Sequence, residues 1–402
     1  MKEYFEIRKL VNENKFEEAI KKAERARDRQ EKTMLLCMIA EAMIYENREE
    51  EALSLLNDAF KTAKEIKEKL FRSLAIGRIS FTMAIAGEVE NAIEMTRSIT
   101  DNSEKVYALV RISDVLMNEN EIEKAKEILE ESEKAVDEIQ DGIGKFLSIR
   151  TLAYAFIGIG GRNKALDLLK HAENVTENMN DENASIAFNL IAQTMLELGR
   201  VDDAMRLIKN IRNEYDKAWL MSDIAYEMAD ADLLEKAVKM ARQVKRKYET
   251  ISEFSKITSV ISKFGRKHDA AKLINEMMKI SEEIEEEPEK VMALALISHA
   301  MFVNGDERCM SMLNKATEIS KEVEGFGREE ACSLIARVMI EVGKLEDALN
   351  FINEIDDEEV KGAVYISIAN ELIHEGMEKE AMEIAEFIGD KILKERIRRG
   401  KF

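Results

Sequence analysis

The stretch Ile191-Ala192-Gln193-Thr194-Met195-Leu196-Glu197-Leu198-Gly199-Arg200-Val201-Asp202-Asp203-Ala204 decides how this 402-residue chain folds. The pair Ile191-Ala192 joins a small residue, where two helices approach closely, to a large neighbour that fills the space beside the contact. Gly199 takes the left-handed backbone that ends a helix, where a side chain would be strained. Ala204 then opens a second, amphipathic helix against the first. The stretch therefore spells helix, tight turn, helix.

Working outward, the same pattern recurs along the chain. Its small anchors are Ala19, Ala52, Ala92, Ala125, Ala165, Ala204, Ala237, Ala270, Cys309, Ala348 and Ala381. Five of the ten spacings are 33 residues and the others 39 or 40. Five residues before the anchors stand Asn14, Asn47, Gly87, Asn120, Gly160, Gly199, Asp232, Gly265, Asn304, Gly343 and Gly376, all residues tolerant of the left-handed turn. Pairs such as Ile39-Ala40, Ile112-Ser113 and Ile368-Ala369 fall twelve residues before the anchor. Ile297-Ser298 lies one residue closer to Cys309, which predicts a turn one residue shorter. The extra six or seven residues of the longer units predict a second helix extended by nearly two turns.

Composition agrees with an all-helical chain. It holds one proline and seventeen glycines, too few for the frequent turns that strands need. The formal charge of −20 sets the surface against phosphate backbones, so nucleic-acid binding is not expected. Cys37, Cys309 and Cys332 have no CxxC spacing, which predicts neither disulfides nor a zinc site. The charged N-terminus and the absence of a long apolar run predict a cytoplasmic protein without a membrane segment. Abundant glutamate and lysine beside four glutamines hint at a heat-adapted source.

The helix ending Ile-Ala…Gly, followed by Arg-Val-Asp-Asp-Ala204 and an amphipathic helix, resembles the tetratricopeptide repeat. The resemblance covers essentially the whole chain. It departs from the family in two ways: the aromatic positions are mostly aliphatic, and the closing proline of each repeat is missing. It implies a right-handed α-solenoid of about eleven antiparallel helix pairs over residues 1–390. Residues 391–402 are expected to form a basic capping helix. There Ile392, Leu393 and Ile397 would cover the final repeat, while Lys394, Arg396, Arg398, Arg399 and Lys401 face water. Pro288 is expected in the first turn of a helix.

Catalytic chemistry is not indicated, and neither a cofactor nor a metal is expected. Gly158, Gly160 and Gly161 before Lys164 resemble a phosphate loop only loosely, because Ala165 stands where Ser or Thr is required. His171, His268, His299 and His374 lie in four different repeats without ligand spacing. The exposed carboxylates alternate with lysines as solvated helix faces.

In the resembled family the first helix of each pair lines the concave side. Positions −6, −3, +1 and +4 from the small residue share one helical face. Only five of its forty residues are charged, which is not ordinary solvent surface. The expected partner-binding residues are Phe81, Tyr107, Arg150, Tyr154, Asn189, Gln193, Trp219, Tyr226, His299 and Arg337. The competing expectation is that this face packs against the neighbouring repeat. The expected partner is a segment of another protein, with self-association also open. An adaptor associated with RNA is the alternative, although the face holds two arginines and no lysine.

Overall fold

The computed structural model describes residues 2–228, 230–325, 327–374 and 376–399, and these contain helices and no strand. They form two compact units, Met1–Met179 together with Ala385–Phe402, and Asn180–Ile384.

The first unit holds five hairpins: α1 (Lys2–Asn12) with α2 (Phe16–Ala23), α3 (Arg29–Tyr45) with α4 (Glu49–Lys64), α5 (Lys69–Ile85) with α6 (Val89–Thr96), α7 (Asn102–Asn118) with α8 (Ile122–Asp137), and α9 (Gly142–Gly158) with α10 (Arg162–Thr176). Six more hairpins begin in the second unit. They are α11 (Asp181–Glu197) with α12 (Val201–Leu207), α13 (Glu214–Glu227) with α14 (Ala231–Ala241), α15 (Lys247–Lys263) with α16 (Lys267–Glu282), α17 (Glu287–Asn304) with α18 (Cys309–Ser320), α19 (Arg328–Glu341) with α20 (Leu345–Asn353), and α21 (Glu358–His374) with α22 (Glu378–Phe387). The boundary between the units falls inside α22, and α23 (Lys391–Arg399) belongs to the first.

Each turn is built the same way. Asn14, Asn47 and Asn120 have positive φ, as do Gly87, Gly160, Gly199, Gly265, Gly343 and Gly376. The amide after each of these donates to the carbonyl five residues back, for instance Arg200 N to Met195 O at 2.8 Å and Lys344 N to Met339 O at 2.7 Å. This bond satisfies a carbonyl that the helix end would leave bare.

The ninth turn is one residue shorter, as the Ile297-Ser298 spacing predicts: Gly305, not Asn304, is left-handed, one residue nearer Cys309. At the seventh, Asp232 already lies within α14, whose first turn Asp230 caps by accepting from the amides of Asp232 and Leu233. The turn there has moved earlier because α13 is shorter than the other first helices of this unit's neighbouring hairpins.

The anchor alanines are fully buried at the crossing of each hairpin, and Cys309 nearly so. The length classes also have a physical form. The second helices α4, α8 and α16 have 16 residues and α10 has 15, against 8 for α2 and α6. The extra residues therefore extend the second helix. Pro288 sits in the first turn of α17, where its missing N–H is not needed.

The final helix departs from expectation. Ile392 joins the same apolar core as Ile7, Val11, Leu36 and Ile39, so α23 docks among the first hairpins. Arg396 does not face water, because it pairs with a buried carboxylate of α3. Of the other basic residues expected to be solvated, Lys401 and the Arg399 side chain lie outside the described residues. No described helix is long and apolar enough to cross a membrane.

Candidate binding faces

The first helices pack side by side, α3 on α5, α5 on α7 and α7 on α9 within the first unit. This packing splits the four-position face by row. At −3, Cys37, Val110, Asn189, Ser222, Ser255, Ala295 and Ser333 are buried. At −6, Met34, Leu74, Tyr107 and Leu147 stand 56%, 38%, 51% and 46% exposed on α3, α5, α7 and α9. One edge of the face is thus covered by the next hairpin, and the other is an open apolar ridge.

Among the expected binding residues of the first unit, Phe81 is buried, with the Arg111 guanidinium 3.5 Å above its ring. Tyr107 is on the ridge. Arg150 lies 4.9 Å over the Tyr154 ring and its Nη2 donates to the phenol oxygen at 3.4 Å, which joins these two residues one turn apart.

In the second unit Asn189 is buried, and its Oδ1 and Gln193 Nε2 have no hydrogen-bond partner among the described residues. Trp219 is half-buried, and Lys256 Nζ caps its ring at 3.6 Å from the centroid. Tyr226 is exposed and stacks on Phe264 at 6.4 Å. His299 Nε2 lies 3.4 Å from Glu341 Oε2, and Arg337 Nε lies 3.9 Å from both Glu341 and Glu371. Ala229, which would complete the Trp219 row, lies outside the described residues. The serine face of α15 is used internally: Ser255 Oγ donates to Leu296 O at 3.2 Å and Ser262 Oγ to Asn304 Oδ1 at 3.2 Å. Those hydroxyls bind α17, so small side chains here serve close helix packing.

The strongest electrostatic feature of the first unit surrounds Glu41, which is fully buried on α3. Arg396 Nε and Nη2 donate to its two oxygens at 2.6 and 2.7 Å, Arg78 Nη2 at 2.8 Å and the Tyr45 hydroxyl at 3.0 Å. Burial would raise the carboxyl, but Arg396, its hydrogen bonds and Arg78 outweigh it and hold the group down at about 2. Asp390 pairs with Arg8 and also accepts from Leu393 N at 2.9 Å, which caps α23. Lys391 Nζ reaches Asn14 Oδ1 at 2.8 Å and Glu46 Oε1 at 2.7 Å.

The second unit carries the opposite arrangement. Glu253 is fully buried, and neither carboxylate oxygen has a hydrogen-bond partner among the described residues. Burial pushes its pKa up, against the pull of Lys256 one turn along α15. Burial likewise raises Asp223 to about 6 and lowers Lys256.

Sequence reasoning missed Arg78 and Arg111. Both stand at −2, one step off the chosen face, in hairpins 33 residues apart. An arginine recurring at one register position in consecutive repeats was the available signal. The role of Arg396 had no local signal, since its partner is 355 residues away.

No protein-family model matches the chain, and no curated protein matches it. Among solved structures, Ton1535 from Thermococcus onnurineus NA1 aligns over 99% of both chains at 18% identity, with a TM-score of 0.32. The apo form of RapI aligns over 86% of this chain and 99% of its own at 13% identity, with a TM-score of 0.37. A Rap protein complexed with competence and sporulation factor aligns over 88% and 99% at 13% identity, with a TM-score of 0.34. The register of turn, anchor and crossing, repeated along the chain itself, is that of a divergent tetratricopeptide-like array of helical hairpins.

Proposed function

We propose that this chain is a non-catalytic scaffold that holds an extended or helical segment of another protein against the open edges of its first helices. The observation that carries this is the ridge of Met34, Leu74, Tyr107 and Leu147. Four consecutive first helices each leave a large apolar side chain in water at the same register position. Single exposed apolar residues are ordinary, but an aligned row of them marks an interaction surface. The ridge is flanked by Arg150 and Tyr154, the residue types that most often anchor interfaces. In the second unit Tyr226 and Trp219 offer further aromatic surface.

The test is affinity capture from a native lysate, comparing the wild-type chain with a Tyr107→Ala, Leu147→Ala double variant. Both residues are about half exposed, so the variant is expected to keep its thermal unfolding midpoint. Proteins held by the ridge should be lost from the variant, with affinity reduced at least tenfold in a purified pair. An identical captured set from both chains would sink the proposal. Retention of RNA that survives moderate salt would favour the adaptor instead.

A further inference from the structure

Beneath the ridge, α1, α3, α5, α7 and α23 line a cavity of about 440 Å³. That volume falls in the range of small-molecule sites. Its walls are mainly apolar, from Met38, Leu74, Ala75, Ala108 and Ile392. At one end Arg78, Tyr107, Arg111 and Arg396 separate it from a second, more polar cavity that Asp114, Thr151 and Tyr154 line.

The arginines at that junction are not all held by a carboxylate. Glu41 accepts two bonds from Arg396 and one from Arg78, and Asp390 takes Arg8. Among the described residues Arg111 has no such hydrogen bond, although it draws on Glu41 and pulls down the Asp114 carboxyl. Its guanidinium lies against the faces of Phe81 at 3.5 Å and Tyr107 at 5.9 Å. Removal from water, together with Arg78, lowers its pKa to about 10. A cation held between rings and other cations, at the mouth of an apolar chamber, is stabilised by an incoming anion.

We propose that this cavity is a binding site for a small amphipathic monocarboxylate, with its apolar body between Met38, Ala108 and Ile392 and its carboxylate on Arg111. A single negative charge fits better than a phosphate. Glu104 and Asp114 also border the two chambers, and the roughly doubled charge of a phosphate would be repelled by them. The ligand would touch α23 through Ile392 and Arg396, so it would bind only while the final helix is docked. Met34, Leu74 and Tyr107 of the ridge also line this chamber, but the two readings are tested apart, because octanoate binding to the purified chain needs no protein partner.

Octanoate is the probe, titrated calorimetrically into the full chain, with octanol and octylammonium as controls. Octanoate is expected to bind and the two controls to bind at least tenfold more weakly. Affinity should fall roughly fourfold for each methylene removed, the increment of a buried chain. Arg111→Gln should weaken octanoate at least tenfold. Should that variant unfold, Leu74→Trp provides the second arm: it narrows the chamber from a position 38% exposed, and should weaken octanoate without loss of fold. Equal binding of octanol and octanoate, or unchanged octanoate binding in both variants, overturns the proposal. So does binding of an acidic peptide ending in an apolar residue when octanoate shows none.

Discussion

Glu253 illustrates how one side chain can set the pH response of a whole unit. Its folded-state pKa lies above the value near 4.5 of an exposed glutamate, because burial penalises the charged form. Such a group contributes its full stability below the unfolded value and loses it as pH rises through the folded one. Asp223, raised from 3.8 to about 6, acts in the same direction. The second unit should therefore lose stability from about pH 4 to pH 6 through Asp223, and further above that through Glu253. Replacing Glu253 by Gln removes the group whose pKa burial raises and is expected to stabilise the unit by about 1–3 kcal/mol at pH 7.5. The gain should shrink toward pH 4.5. Trp219 is the only tryptophan and lies under Lys256, so its fluorescence during denaturant unfolding reports this region. A variant as unstable as the wild type at pH 7.5 would show that Glu253 is not the destabilising group.

At the scale of the hairpin, most of the fold was legible because the repeat is locally encoded. Ala204 must be small, Gly199 must turn left-handed and Ile191 must fill the gap, and all three sit within fourteen residues. Asp232 slips where α13 changed length, which anchor spacing alone does not reveal, whereas at the ninth turn the Ile297-Ser298 spacing signalled the shortening. The binding face was less legible. Helical periodicity singles out one side of the first helices, but it could not say which of its rows the next hairpin covers. Asn189 and Phe81 are thus buried where Tyr107 is open, although all three lie within one predicted face. The register makes a direct prediction. Ala204 is fully buried at the crossing of α11 and α12. Ala204→Leu should overpack that crossing and cost about 1–3 kcal/mol in thermal or denaturant unfolding. No loss of stability would mean that the anchors do not mark close crossings.

At the scale of the whole molecule, sequence order and structural membership part company at the C-terminus. Residues 391–399 follow the last hairpin of the second unit, yet they complete the first. Their amphipathic pattern was visible, but any apolar surface in the chain could have received it. The docking is favoured by Glu41, a fully buried carboxylate whose two oxygens the guanidinium of Arg396 binds. Arg396→Ala leaves Glu41 with Arg78 and Tyr45 alone, and should cost the first unit about 3 kcal/mol. Because the Glu41 carboxyl is held down at about 2, this contribution is present above its unfolded value near 4.5 and fades only as pH falls toward 2. Truncation after Gly389 removes Asp390, Ile392 and Arg396 together, and its effect should appear far from the cut in sequence. Hydrogen exchange followed by mass spectrometry should show amides of α1 and α3 losing protection, while those of α15 and α17 keep theirs. Loss of protection confined to the second unit would mean that α23 serves its sequence neighbours after all. Unchanged exchange throughout would mean that the Glu41–Arg396 pair contributes nothing to holding the first unit together.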